Sequence, residues 1–291
     1  MTMFQMHKPS IAIVYRGGTP KALQCAQKVV QLMNKKGIEV LTAPEQKMIQ
    51  RTQLIKSKKD WDRVGLVVVL GGDGTYLRAV RLLQGRDIPL LAFNMGSLGF
   101  LTVHPAEEVH RLMTHALSGE LEIRERSMLA AKLLRKGKTR GEFLALNDVV
   151  IERGPTAQLI NTSLFSDRHL VSTIKADGVI VATPTGSTAY NLAAGGPILD
   201  PESSAMVVTP VAPHALTNRP LIFPDHRKIS FRLADRGSRA RLIVDGQMSA
   251  ELTDQDEVRV SRSGTKHCTL REPEFNFFDL LREKMKFGDR A

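Results

Sequence analysis

The run Val64–Leu70 (VGLVVVL) leads without a break into Gly71-Gly72-Asp73-Gly74-Thr75, and that junction restricts the fold more than any other stretch of the chain. A continuous, β-branched run of strand length fits a strand covered on both faces, as in a parallel sheet flanked by helices. A glycine turn at its carboxyl end followed by a helical pattern from Tyr76 to Gln84 is the place where open α/β sheets take their ligands. The neighbouring segments agree. Ile11–Tyr15 reads as a buried strand, and Thr19-Pro20 opens a helix whose Leu23, Ala26, Val29, Val30 and Met33 share one face before Gly37 stops it. Ile38–Leu41 and Pro89–Phe93 read as further strands.

Past residue 123 the rhythm changes to short strands with polar connections, among them Met128–Leu134, Leu159–Phe165, Leu170–Lys175, Val179–Ala182, Ala205–Thr209, Glu257–Ser261 and Lys266–Leu270. Phe275–Lys286 closes the chain with apolar residues at helical spacing. The expected architecture is an α/β N-terminal domain with an open, mostly parallel sheet over 1–123, a β-rich domain over 124–274, and a C-terminal helical segment, 275–291, packing back on the first domain.

Composition bounds the chemistry. With 291 residues, 42% hydrophobic and 24% charged, the chain is an ordinary globular protein large enough to bury a core without a disulfide or metal staple. Cys25 and Cys268 belong to no CxxC or zinc-ligand spacing, and no export signal is visible, so a reducing cytoplasm is expected. Two long uncharged stretches, Ile88–Ala106 and Gly178–Leu199, are too rich in Gly, Pro, Thr, Asn and Ser to be membrane spans. They read as backbone packed close to something. The net charge of +11 suggests a polyanion, but the first 60 residues hold 11 Lys+Arg against 3 Asp+Glu, leaving 30 against 27 for the rest. The excess is an N-terminal property, as expected of a solvated face.

Two regions carry chemistry. In GGDGT the glycines let backbone approach a phosphate, and the helix start offers N–H groups to an anion. Asp73 would repel that phosphate, so its carboxylate fits a sugar hydroxyl, the acceptance of that hydroxyl's proton, or a metal ion. The second region, Asp177 to Pro197 (DGVIVATPTGSTAYNLAAGGP), runs from a strand through hydroxyl-rich turns into a short helix from about Ser187. Thr and Ser there suit phosphate or ribose, and Tyr190 and Asn191 a base. There is no GxxxxGK[ST] loop, no GxGxxG fingerprint, no GxSxG elbow and no paired-histidine zinc spacing.

GGDGT, Asn94–Leu101 (NMGSLGFL), Leu146-Asn147-Asp148-Val149-Val150, DGVIVATPTGSTAYNLAAGGPI and Asp245-Gly246-Gln247, in that order, resemble the bacterial NAD kinases over nearly the whole chain. The resemblance implies transfer of the γ-phosphoryl of ATP to the adenosine 2′-hydroxyl of NAD, with Mg²⁺ or another divalent metal, and Asp73 as general base. It also implies an NAD site lined by Asp73, Gly74 and Arg78, by Asn147 and Asp148 on the adenosine part, and by Lys175 and Asp177 near the nicotinamide or a ribose. Thr188, Ala189, Tyr190, Asn191, Leu192, Ala193, Ala212 and Gln247 complete the implied contacts. Gln158 departs from the basic or His residue of many relatives, so no charge contact is expected there. Homodimers or homotetramers are implied, with no nucleic-acid or membrane partner. Two rival readings remain at this level: a lipid kinase of the diacylglycerol or sphingosine type, which shares GGDGT but needs an apolar acyl pocket, and a basic nucleic-acid-binding protein.

Overall fold

The computed structural model describes residues 2–154 and 158–286. The chain forms two compact units, Met1–Glu125 together with His267–Ala291, and Arg126–Lys266. The second junction falls earlier than the 274/275 boundary read from the sequence. The reason is that Glu257–Ser261 and Lys266–Leu270 are not separate strands: Asp256–Arg271 is one long strand, and its end joins the first unit's sheet where Thr269 pairs with Leu90 in parallel. The returning piece is therefore a strand end plus a helix, and its last five residues, 287–291, lie outside those described.

In the first unit, five strands line up in the order Gln53–Leu54, Glu39–Thr42, Ser10–Tyr15, Val64–Leu70 and Leu90–Asn94, all paired in parallel. Their side chains alternate faces. Ile11, Ile13, Leu66, Val68 and Leu91 form one core with Ala26, Val30 and Met33 of the helix Pro20–Lys35 and with Leu112 and Met113 of the helix Val109–Ser118. The helix Asp73–Leu83 packs on the same central strands through Tyr76, Ala79, Val80 and Leu83. The strand order reverses between Ser10–Tyr15 and Val64–Leu70, so GGDGT sits at the topological switch point, where neighbouring loops diverge and open a crevice.

The second unit is a sandwich of antiparallel sheets. One face includes His169–Ala176, Ile160–Ser166, Ile229–Leu233, the start of Asp256–Arg271 and the hairpin of Glu122–Arg135 with Lys138–Ala145. The other runs Leu221–Pro224, Ala205–Val211, Gly178–Ala182, Asp148–Arg153, Arg239–Val244 and Gln247–Thr253. A shared core including Leu164, Phe231, Val149, Val181, Val208 and Leu242 holds the two together. The outer side of the second sheet buries Val150, Ile180, Ala182 and Val207 under Ala194 and Leu199 of the TPTGSTAY…GGPIL segment.

The helix Phe277–Met285 belongs to the first unit, as expected, and starts from an Asn276 cap that accepts the Phe278 N–H at 2.8 Å. Leu280 and Leu281 are buried.

Candidate active site

In the first unit the helix begins at Asp73 itself, three residues earlier than the hydrophobic pattern indicated, because Gly72 takes the extended cap conformation. That start turns the Asp73 carboxylate onto the NMGSLGFL loop. Oδ2 accepts the Phe100 N–H at 2.9 Å, while Oδ1 accepts the N–H groups of Leu101 (3.1 Å) and Thr102 (3.0 Å) and the Thr102 hydroxyl (2.9 Å). The loop can come this close only because residue 99 is glycine: a Cβ there would stand 2.0 Å from Asp73 Oδ1 and 2.5 Å from Thr102 Oγ1. Its carbonyl side is held as well. Arg271 donates to Leu101 O at 3.0 Å, and Lys284 of the C-terminal helix donates to Leu98 O and lies 5.2 Å over the Phe100 ring. Tyr76 Oη and His267 Nε2, buried and 2.6 Å apart, tie the Asp73 helix to the last strand.

Gly74 is exposed in the first turn, with open space where a Cβ would be. Arg78 points elsewhere, donating to Tyr15 O at 2.8 Å and Gln46 Oε1 at 2.7 Å. Its guanidinium is thereby engaged within the first unit.

The second unit repeats the carboxylate device. Asp245 and Gly246 make a two-residue hairpin turn with φ of +47° and +73°. The Asp245 carboxylate accepts the N–H groups of Leu146 (2.8 Å), Asn147 (2.7 Å) and Asp148 (3.1 Å), and its own N–H donates to Asp148 O at 3.0 Å. Thr183 takes the two remaining carbonyls, its hydroxyl donating to Leu146 O at 2.5 Å and its N–H to Asn147 O at 2.9 Å. Gly186 packs against the same backbone so closely that a Cβ would stand 2.0 Å from Asn147 O.

With the backbone of Leu146–Asp148 fully bonded, the side chains are what the loop has left to offer. Asn147 Oδ1 is buried without a hydrogen-bond partner. Asp148 is 5% exposed, and burial first, then the Asp245 charge, push its carboxyl up to about 7.

Asp177 and Tyr190 share a cavity of about 370 Å³ with Glu152, Arg153, Val211 and Arg241. Arg153 pairs with Asp177 at 2.6 Å. Burial raises the Tyr190 phenol, and the nearby charges of Glu152, Asp177 and Asp148 raise it further. Lys175 is exposed at the end of its strand, its carbonyl accepting the His214 N–H, and Ala212, also exposed, follows Val211 with φ of +44°. Gln247 is exposed beside the Asp245 turn and Gln158 is exposed.

The hydroxyl-rich segment is more irregular than a helix from Ser187. Thr185–Thr188 is a 3₁₀ turn, and the α-helix is only Tyr190–Ala193. Thr188 caps back onto Thr185 O, Ala189 joins the two pieces, and Leu192 and Ala193 occupy the short helix, Ala193 exposed. Asn191 is wholly buried. Its amide NH₂ donates to Ser187 O (2.9 Å) and Pro197 O (3.0 Å) while its Oδ1 accepts the Thr209 hydroxyl (2.6 Å). The base contact read from sequence would need that amide, and the fold of the segment already uses it.

Of Asp245-Gly246-Gln247 the sequence singles out only Gln247, and it does not mark Thr102, Thr183, Glu152 or Arg153. The D-G pair between two apolar runs is a hairpin signal that marks Asp245 as a turn residue. Nothing in a single sequence says that its carboxylate reaches back nearly a hundred positions.

A doubly wound α/β unit with a carboxylate at its switch point, joined to an antiparallel sandwich and lacking a P-loop, defines a two-domain phosphotransferase of the GGDGT kind. Residues 11–121 match the ATP-NAD kinase N-terminal domain and residues 146–271 the ATP-NAD kinase C-terminal domain, so the chain belongs to the ATP-NAD kinase family. It is similar to the NAD kinase of Bdellovibrio bacteriovorus, with 58% identity over 97% of this chain and 93% of that protein. Similarity to the NAD kinase of Koribacter versatilis is 44% identity over 77% of this chain and 78% of the relative. The yeast NADH kinase, solved in complex with NADH, superposes with a TM-score of 0.89 at 26% identity, covering 99% of this chain and 89% of that one.

Proposed function

We propose that the protein phosphorylates NAD to NADP, moving the γ-phosphoryl of ATP onto the 2′-hydroxyl of the adenosine ribose with Asp73 as general base. NAD kinase activity with ATP as donor follows from the family and from the 58% identity to a bacterial NAD kinase. The observation that carries the role of Asp73 is the uneven load on its carboxylate. Oδ1 has three donors and Oδ2 has one, and a carboxylate offers about four lone-pair sites. Oδ2 therefore keeps capacity for one more donor.

A ribose hydroxyl placed there donates to Oδ2. As its oxygen bonds to the γ-phosphorus, the bond from that phosphorus to the β-phosphate oxygen breaks, ADP leaves, and the hydroxyl proton passes to Asp73. The amides of Phe100, Leu101 and Thr102 hold the carboxylate oriented while this happens. Asn147 and Asp148 hold the adenosine part, Asn147 Oδ1 being a buried acceptor that lacks a protein donor. Asp177 and Tyr190 receive a further part of the dinucleotide in their shared cavity, and the exposed Lys175, Ala212 and Gln247 supply contacts outside it. Thr188, Ala189, Leu192 and Ala193 line the approach, and Gly74 leaves room at the helix start. The charged lining of that cavity disfavours the acyl chain a lipid kinase would need.

The divalent metal is part of this reading, and a protein cage for it would need clustered carboxylate or imidazole ligands. Among the described residues, His104, Glu108 and Glu272 form the one His/Cys/Asp/Glu group with ligand atoms within 4.8 Å, and Arg111 already pairs with both carboxylates. That set fits a guanidinium rather than Mg²⁺. No step is derived through the metal, which we assign to the phosphates of ATP, its usual carrier.

A reducing cytoplasm fits Cys25 and Cys268, which are both buried. No helix among the described residues is long and apolar enough to cross a membrane. A homodimer or homotetramer is supported by Leu221 and Ile222, exposed on the edge strand of the second sheet, and by Leu216, exposed in the loop before that strand.

Asp73→Asn tests the assignment. With NAD, ATP and Mg²⁺, its kcat falls by about 10²- to 10⁴-fold while NAD binding stays measurable. Undiminished turnover rules out Asp73 as the base.

A further inference from the structure

Asp245 is not itself among the proposed substrate contacts, yet its carboxylate and its N–H supply four of the six backbone hydrogen bonds of Leu146–Asp148 described above. Such a loop could have been fixed by a neutral side chain. A carboxylate does it here, and it does it beside a second buried carboxyl, that of Asp148. Placing two acids together in a desolvated loop is costly if both are ionised, and it is relieved when one keeps its proton. Asp245 is the member with three N–H groups on it, so it is the one that holds the negative charge.

The remaining surroundings push the same way. Around Asp148, Asp245 faces it from the hairpin turn and the Tyr190 phenol from the short helix, while Glu152 and Asp177 act on that same phenol. The influences on Asp148 are burial and the Asp245 charge, and both favour the acid.

Resting on the proposed NAD kinase reading, we propose that Asp245 is a positioning residue: its carboxylate, which accepts the Asp148 N–H at 3.1 Å, clamps the loop and keeps the buried Asp148 carboxyl as a hydrogen-bond donor to an acceptor atom of the bound adenosine. The loop then presents two complementary groups, the Asn147 Oδ1 acceptor and the Asp148 O–H donor. A second ionised carboxylate would offer only another acceptor. Affinity for the adenosine part consequently depends on a proton held by the protein, and it declines as pH rises and Asp148 ionises.

The test reads the proton directly. In protein carrying ¹³C-labelled aspartate, the Asp148 carboxyl resonance, assigned by its disappearance in Asp148→Asn, is followed against pH in the wild-type chain and in Asp245→Asn. The expected midpoint is near neutrality in the wild type and lower by about one pH unit or more in Asp245→Asn. A wild-type midpoint near that of an ordinary aspartate overturns the proposal, as does an unchanged midpoint in the variant.

NAD affinity measured by calorimetry over the same range supplies the second arm. Wild-type affinity falls as pH rises through neutrality, Asp148→Asn, a permanent neutral donor, binds with a flat profile, and the double variant Asp148→Asn/Asp245→Asn stays flat. A purely structural role for Asp245 would weaken binding equally at every pH and would not yield to Asp148→Asn, which also counts against the proposal. Should Asp245→Asn fail to fold, the wild-type midpoint and the Asp148→Asn profile still decide. If no NAD binds at all, the functional reading fails while the carboxyl titration still judges the proton.

Discussion

Two carboxylates in this molecule do the same job on two different loops, and they differ in what the captured loop carries. Asp73 gathers the amides of Phe100, Leu101 and Thr102; Asp245 gathers those of Leu146, Asn147 and Asp148. The first loop is uncharged, so Asp73 meets only donors, and Oδ2 keeps capacity for one more, the place we propose for the ribose hydroxyl. The second brings its own acid, so the same device sets up a conflict of charge that a proton resolves. A carboxylate holding three amides is thus a structural staple in both units. Its chemical consequence depends on whether the stapled segment brings another acid.

The comparison can be broken most severely at Asp73, where the Asn substitution described above separates the two staples by removing turnover. Next come the glycines that let the loops approach. Gly99→Ala drives a Cβ onto the Asp73 carboxylate and Gly186→Ala drives one onto the Asn147 carbonyl. Each should destabilise the chain by about 1–3 kcal/mol. Gly99→Ala should act mainly on kcat, since it disturbs the carboxylate proposed as base, and Gly186→Ala mainly on the KM for NAD, since it displaces the Asn147 loop. Chemical denaturation alongside steady-state kinetics measures both, and identical kinetic signatures would erase the distinction between the loops.

A smaller effect contrasts the units through pH. In the second unit Asp148 is raised to about 7, so the native state holds a proton that the unfolded chain has given up. Its stabilising contribution is fully present below the ordinary aspartate value near 4 and is lost as pH rises through about 7. In the first unit His104 is pushed down to about 3 by burial and then by Arg271 and Arg111, so it is neutral when folded. That contribution is present above the ordinary histidine value of about 6.5 and is lost as pH falls toward about 3. Protection from hydrogen exchange, corrected for intrinsic rates, should therefore weaken in the first unit on acidification and in the second on moving from mild acid to neutrality. Parallel behaviour of the two units contradicts the assignment.

The smallest effect is expected at Lys284→Met, which removes one donor to the Leu98 carbonyl and the contact over Phe100 at an exposed helix. A severalfold drop in kcat with little loss of stability would show that the carbonyl side of the Asp73 loop matters; no change would confine the staple to the amide side.

How much of this was legible beforehand follows the physics of each element. The parallel half could be read because strands such as Val64–Leu70 are apolar on both faces and end in obvious glycine turns. The long strand Asp256–Arg271 reads as two in the sequence, since Ser263-Gly264-Thr265 looks like a turn while the strand continues through it. The position of Asp73 at a ligand-binding turn was visible in the strand–turn–helix order. Its bonds to Phe100–Thr102 were not, because amides carry no residue code. Asn191 is the reverse: a side chain that suits a base in the sequence is engaged by Ser187, Pro197 and Thr209, contacts that exist only after the segment has folded. Arg78, turned toward Tyr15 and Gln46, is a similar case.

The discontinuity of the first unit has a consequence for synthesis. Its outermost parallel strand, and both cations that hold the carbonyls of the Asp73 loop, come from residues translated after the whole sandwich has been made. At translation speeds of about 5–20 residues per second the unfinished sheet waits roughly 7–30 s with the Leu90–Asn94 edge unpaired by that strand. A newborn chain therefore has the amides that hold Asp73 early and gains the donors to that loop's carbonyls only after the residues of the sandwich have been made.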